Sequence, residues 1–287
     1  MSFLGGGRAK QKKGFGVVSI ILAHRYPRRH ILGSFPRAGH CAAIKELEQP
    51  PSSKAAKLAR IVAALKASYG PVSPPPAPSA FAVVLWEKVA YLAPDAKRVA
   101  AFRALEKRVG LTPHAILAAK RHDLEAICAL GGAVGVAERA KSIHDSAALV
   151  LDEFDGDLDA VLTRPIAEAK RALMRFYGVG EPGAERILLL TRSHKVLPLD
   201  SNGARAMVRL GYGADDRNYT RMYRSVSEAA RPELVDDFDW LIDAHVYLRH
   251  HGQDLCKTSA PRCELCVLRA DCAYAVARRG GATERQQ

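Results

Sequence analysis

Phe176-Tyr177-Gly178-Val179-Gly180-Glu181-Pro182-Gly183-Ala184 lies between two stretches of helical periodicity, and reading it as a helix–turn–helix unit decides the fold. Before it, Pro165 opens a helix expected to run to Phe176, with Ile166, Ala169, Leu173 and Phe176 on one face. After it comes an apolar helix centred on Ile187–Leu190. The G-V-G core lets the backbone turn tightly, and its bare amides can approach a phosphate oxygen beside a helix N-terminus. A lone G-x-G is usually only a turn. Here residues 170–195 also carry Lys170, Arg171, Arg175, Arg186, Arg192 and Lys195 against Glu181 and Glu185. Gly178, Val179, Gly180 and Arg186 are therefore candidate contacts to a nucleic-acid backbone, an anchor that holds phosphates without reading sequence.

The same periodicity extends outward. Lys54–Ser68 places Leu58, Ile61, Val62 and Leu65 at i, i+3, i+4, i+7, and the proline-rich stretch Pro71 to Pro78 ends that helix. Thr112-Pro113 is an N-cap with a first-turn proline, and Gly131-Gly132 closes the segment holding Leu124, Ile127 and Leu130. Further helices are expected over about 201–210, 219–229 and 234–249. No alternating strand pattern or hairpin turn accompanies them, so the expected fold class is all-α.

At 287 residues with 48% hydrophobic content, the chain can bury a core of one large or two modest domains. No apolar run approaches the roughly 18 residues of a membrane span. The stretch 15–24 is too short, and no cleavage site follows it. The expectation is a soluble, intracellular protein with no membrane partner. Residues 1–45 hold nine Lys or Arg and no Asp or Glu, so most of the +13 formal charge sits in an N-terminal tail. Residues 1–53 are read as poorly ordered. Such a tail could add phosphate contacts, direct the chain to an organelle, or be translated sequence upstream of the true start.

Near the other end, Cys256, Cys263, Cys266 and Cys272 are spaced C-x6-C-x2-C-x5-C within 17 residues. Soft thiolates this close together can surround one metal centre. Zinc sites usually pair two tight C-x2-C knuckles, or cysteines with spaced histidines. One short pair with longer arms on either side suits a [4Fe–4S] cluster better. The plain alternatives are a disulfide or four unrelated thiols. His250 and His251 beside the first cysteine are read as packing and hydrogen-bonding residues. Cys41 and Cys128 are read as ordinary thiols.

Between hairpin and cysteines the chain reads Leu197-Pro198-Leu199-Asp200-Ser201-Asn202. An acid after a short apolar run is, by itself, most often a helix N-cap, and Asp200 or Ser201 could serve.

Hairpin, acid and cysteine loop occur here in an order that resembles the endonuclease III-like family of helix–hairpin–helix DNA glycosylases. The likeness covers roughly residues 54–275. His251-Gly252, the cysteine loop and Ala273-Tyr274 resemble the family's cluster segment. Gly178-Val179-Gly180 resembles its hairpin, and Leu199-Asp200-Ser201-Asn202 its V-D-T-H/N segment, whose acid is catalytic. The stretch 186–212 is particularly similar to the plant branch that excises 5-methylcytosine, notably in Pro198, Asp200, Asn202, Arg205 and Val208–Gly211. The resemblance implies two helical domains flanking a DNA-binding cleft. A six-helix barrel over about 73–195 would end in the hairpin; residues 54–72 with 196–287 would hold a [4Fe–4S] cluster. Double-stranded DNA with a damaged or mismatched base would be the partner, its target nucleotide flipped into the cleft of a monomer.

The sequence also departs from the family. Where bifunctional members carry the lysine that forms a Schiff base, it has Pro182. Where many carry a gap-filling glutamine, the same alignment gives Leu92. It also puts Glu87 at the position of the catalytic glutamate of the adenine-excising branch, although that branch's extra recognition domain is not expected after Gln287. The resemblance therefore implies a monofunctional glycosylase, with Asp200 on the sugar side of the glycosidic bond and Glu87 on the base side. The cluster would be a structural staple, with Lys257, Arg262 and Arg269 facing phosphates. Two alternatives stay open: a bifunctional glycosylase/AP lyase using a lysine from elsewhere, and a non-catalytic DNA-damage-binding protein.

Overall fold

The computed structural model describes residues 55–76 and 78–283. The expectations for residues 1–53 and for Cys41 lie outside the described residues. Twelve α-helices are present among the described residues: α1 (Ala55–Tyr69), α2 (Ala80–Lys88), α3 (Asp95–Arg108), α4 (Pro113–Ala118), α5 (Arg121–Leu130), α6 (Val136–Phe154), α7 (Ile166–Leu173), α8 (Glu181–Leu190), α9 (Ser201–Arg209), α10 (Tyr219–Ala230), α11 (Phe238–Asp254) and α12 (Ala273–Thr283). Short 3₁₀ segments cover Leu158–Thr163, Arg231–Glu233 and Cys263–Leu265. The described residues contain no strand, and the all-α expectation holds. None of their helices is long and apolar enough to cross a membrane.

Apolar side chains gather into two cores. The first takes Phe81, Leu85, Phe102, Ile127, Ile143 and Phe176, among others from α2 to α8. The second joins Leu58 and Leu65 of α1 to Leu199, Met207, Tyr247 and Leu268, far along the chain. Helix α8 serves both: Ile187, Leu188 and Leu190 enter the first core and Leu189 the second.

Polar groups fix where helices begin and end. Ser79 caps α2 by accepting from the Ala82 amide, and Thr112 caps α4 through the Ala115 amide. The start of α1 is held from a distance: buried Glu233 accepts from the Leu58 amide at 2.8 Å and from the Tyr212 hydroxyl at 2.7 Å. Buried Arg139 donates to the carbonyls of Val89, Cys128, Gly132 and Val134, closing the ends of α2 and α5.

Two helices differ from the periodic reading. Helix α7 ends at Leu173 rather than Phe176, because the chain must turn towards Gly178, whose φ of +78° lies in the left-handed region. Phe176 stays buried, but Ile166, expected on the same apolar face, is exposed. Helix α11 begins at Phe238 rather than Leu234: Pro232 lies in a separate 3₁₀ turn, and the Asp237 side chain accepts from the Trp240 amide at 2.7 Å.

Candidate active site

The hairpin joins α7 to α8. Gly180 is extended and stands as the N-cap of α8 with no side-chain cap, and Pro182 occupies the first turn. Val179 packs inward against Gly183, whose missing Cβ would lie 3.2 Å from the valine Cγ1. Tyr177 at the tip is 86% exposed. The buried ammonium of Lys88 steadies the tip from behind, donating to the Tyr177 carbonyl at 2.6 Å and to the Ser142 hydroxyl at 2.8 Å. Burial pulls its pKa down to about 8.

The basic residues around the hairpin are not the open phosphate-facing set that their number suggested. Lys170 donates to Glu181 at 2.5 Å and to Glu185 at 2.7 Å. Arg175 pairs with Glu153, Arg186 with Glu87, Arg192 with Asp239 and Lys195 with Asp236. Four of these acids come from other helices or loops, so counting charge within 170–195 missed them. In the cysteine loop, Arg262 likewise pairs with Asp254.

Arg186 turns into a cleft of about 890 Å³ that also takes in Glu87, Asp200, Asn202, His245 and Arg249. Its Nη2 donates to Glu87 Oε2 at 2.6 Å, and its buried Nε has no partner. Both candidate catalytic carboxylates, Asp200 and Glu87, thus line one cavity. Tyr91 and Leu92 stand at its edge. Leu92 is 80% exposed and holds φ at +48°, a strained setting for a side chain of this size.

Asp200 is both an N-cap and a wall of the cleft. Its Oδ1 accepts from the amides of Asn202 (3.0 Å) and Gly203 (2.8 Å), starting α9. Its Oδ2 faces the Asn202 side-chain amide and Arg249 Nε, both at 3.3 Å. Three hydrogen-bond donors and one guanidinium ion pair therefore hold one carboxylate. Beside it, His245 is buried with Nδ1 against the Pro198 carbonyl at 2.8 Å, and burial, helped by the Arg186 charge, pulls its pKa down to about 4. The imidazole is neutral at pH 7.

The Asp200 contacts continue to the cysteine loop. Asn202 Oδ1 accepts from Arg205 Nη2 at 3.0 Å, and Arg205 also donates to the carbonyls of Gly252 and Cys256. Helix α11 crosses α9 so closely that a Cβ on Gly252 would lie 2.4 Å from the Asn202 carbonyl oxygen. Gly252→Ala should therefore cost about 2 kcal/mol, read as a lower urea midpoint; an unchanged midpoint would show that α9 and α11 can part freely.

Cys256, Cys263, Cys266 and Cys272 line one cavity of about 20 Å³. Arg209 Nη1 lies 3.4 Å from Cys256 Sγ, and His251 Nε2 lies 3.7 Å from Cys266 Sγ. His251 also bonds the Tyr69 hydroxyl at 3.0 Å, and His250 meets the Tyr69 ring edge-on. Burial pushes the Cys256 and Cys266 thiols up, a direction that a cationic iron core would reverse. Four cysteines on one cavity with N–H donors around them have the donor chemistry of an all-thiolate cluster. Among the described residues, no group of three or more His, Cys, Asp or Glu is placed to hold a metal ion. Cys128 sits in the first core, its thiol pushed up to about 11 by burial.

Sequence reasoning missed Arg249, Asp95 and His245. A faint signal existed: His245 and Arg249 stand four apart, sharing an α11 face that runs among Leu241, Ala244 and Leu248. A charged residue there is out of place unless something pairs with it.

No family model matches the chain. Among curated proteins, it is 30% identical over 150 residues to the DNA glycosylase/AP lyase ROS1 of Arabidopsis thaliana, an alignment covering 48% of this chain and 11% of ROS1. It is 26% identical over 197 residues to endonuclease III of Sulfolobus acidocaldarius, covering 68% of this chain and 82% of that protein. The chain thus spans most of the archaeal relative but about a tenth of the plant one. Among solved structures, an endonuclease III trapped as a covalent intermediate with DNA superposes with a TM-score of 0.61 at 19% identity, covering 78% of this chain and 98% of that one. A thermostable thymine-DNA glycosylase gives 0.59 at 15% identity, covering 77% and 98%. With hairpin, acid-bearing helix start and cysteine cavity arranged on this shared fold, the chain is similar in sequence to endonuclease III and shares the fold of the endonuclease III-like helix–hairpin–helix DNA glycosylases.

Proposed function

We propose that this protein is a monofunctional DNA glycosylase of base excision repair, acting as a monomer on double-stranded DNA with a damaged or mismatched base. The observation that carries this reading is the Asp200 carboxylate, held by three hydrogen bonds and the Arg249 ion pair in the cleft that also contains Glu87. Breaking the C1′–N bond sends its electron pair to the base and leaves positive charge on the sugar. A fixed carboxylate beside the sugar stabilises that charge and orients the water whose oxygen takes the vacated position. Glu87 takes the base side: Arg186 holds one oxygen and the other can accept a hydrogen bond from the departing base, whose leaving nitrogen takes a proton from solvent while the attacking water passes one through Asp200 to solvent. The amides at Gly178 and Gly180 bind backbone phosphate and carry no sequence preference, whereas the Val179 amide, expected to share that role, already donates to the Phe176 carbonyl at 2.9 Å and shapes the turn. The two cores would act as the barrel and cluster domains.

The four cysteines would hold a [4Fe–4S] cluster, whose iron–sulfur bonds, when present, tie the loop together. The protein's own part is to keep Arg205 on the Cys256 carbonyl and Asn202 on Asp200.

Hydrolysis without strand cleavage follows from Pro182, which offers no amine for a Schiff base. Lys88, with its lowered pKa, is engaged by Tyr177 and Ser142 and does not line the cleft. The test is base release, followed chromatographically, from duplexes carrying uracil, thymine opposite guanine, adenine opposite 8-oxoguanine, an oxidised pyrimidine or 5-methylcytosine. At least one should lose its base with the strand intact and no adduct trapped by borohydride. A trapped adduct in appreciable yield would establish the lyase instead. Binding without release from any duplex would favour a damage-binding protein.

A further inference from the structure

Arg249 uses three faces of its guanidinium at once. Nη1 and Nη2 each donate to the Asp95 carboxylate at 2.7 Å, a bidentate pair, while Nε lies 3.3 Å from Asp200 Oδ2. Asp95 opens α3, whose Phe102 and Leu105 belong to the first core; Arg249 sits on α11, whose Leu248 belongs to the second. The two carboxylates come from opposite cores, and one cation joins them inside the cleft. We infer that Arg249 is the positioning residue that sets Asp200 for bond cleavage, with Asp95 as its anchor on the opposite core. This rests on the reading of Asp200 as the sugar-side carboxylate.

The division of labour at Asp200 gives the reason. Oδ1 is fixed by the two cap amides, whatever happens to Arg249. Oδ2 depends on Arg249 and on the Asn202 side chain, which Arg205 also holds. Without Arg249, α9 keeps its cap, but Oδ2 loses one of its two restraints and the carboxylate can tilt about its Oδ1 contacts. Asp95 and Asp200 would then also face one cleft without their shared counter-charge. Bidentate pairing through Asp95 stops the guanidinium from following Asp200 as it moves, so the carboxylate is referenced to the opposite wall. A group that moves charge by an ångström loses far more in the transition state than in the bound ground state.

The experiment compares Arg249→Met, Arg249→Lys, Asp95→Asn and the double variant Asp95→Asn/Arg249→Met, with Asp200→Asn alongside. Two quantities are measured: single-turnover base release from the best duplex of the panel above, and affinity for a duplex carrying a tetrahydrofuran abasic analogue. Arg249→Met should slow release roughly 30- to 100-fold with near wild-type affinity. Arg249→Lys should recover part of the rate, because an ammonium can reach one carboxylate but not span both. The double variant should be no slower than Arg249→Met, as expected of two residues acting through one link. Unchanged release in Arg249→Met, equal losses of rate and affinity, no rescue by lysine, or additive effects of the two substitutions would each overturn the inference. If Asp200→Asn keeps its release, or wild type acts on none of the duplexes, the underlying reading falls instead.

Discussion

Asparagine in place of Asp200 should slow base release roughly a thousandfold while affinity for an abasic-analogue duplex stays close to wild type. The structure makes this substitution unusually clean. Asp200 caps α9 through Oδ1, and asparagine is an equally good cap, so the amides of Asn202 and Gly203 keep an acceptor. What disappears is the negative charge facing the cleft. Asp200→Ala would remove charge and cap together and should cost about 1 kcal/mol of stability besides. Comparing the two by thermal denaturation and single-turnover kinetics separates catalysis from folding. Equal thermal midpoints in the two variants would mean that the cap contributes nothing. Full release by the asparagine variant would remove Asp200 from the mechanism.

The second large effect is expected at Cys263. This residue is only half-buried, so replacing sulfur by oxygen alters little packing. As one of four ligands, however, it would be indispensable to the cluster. The loop from Cys256 to Cys272 has one short 3₁₀ turn of its own, and Leu268 and Cys272 hold it to the second core. Cys263→Ser should therefore lose iron and lower the thermal midpoint by about 10 °C or more, as expected when a site's binding energy is part of folding. DNA affinity should fall with it. Iron measured by mass spectrometry at wild-type stoichiometry, with an unchanged midpoint, would defeat the cluster assignment.

What could be read from the chain alone followed the range of the interaction. Helix α1, the Thr112-Pro113 cap and the hairpin were legible because caps, glycine turns and 3.6-residue periodicity act over a few residues. The start of α11 was misread because leucine at 234 continued the apolar pattern while Asp237, the actual cap, looked like an ordinary surface acid. Capping and catalysis look like rival readings of Asp200 in the sequence, yet Oδ1 takes both cap amides and leaves Oδ2 facing Asn202 and Arg249 in the cleft. The charges were hardest. Arg186 and Glu87 are 99 residues apart and Arg249 and Asp95 are 154 apart. No local rule couples such partners, so a basic count near the hairpin looked like a nucleic-acid surface when most of it was already matched by protein acids.

Helix α8 feeds leucines into both cores while its first turn forms the hairpin and Arg186 reaches the cleft from its middle. Such a shared girder leaves the walls little freedom to swing apart, since any swing must break packing on one side of it. On the proposed glycosylase function, the distortion needed to bring a nucleotide out of the stack would then fall on the double helix, which would have to kink to meet a stiff mould. Base steps that unstack readily, and mispairs that have already lost part of their pairing energy, would yield first.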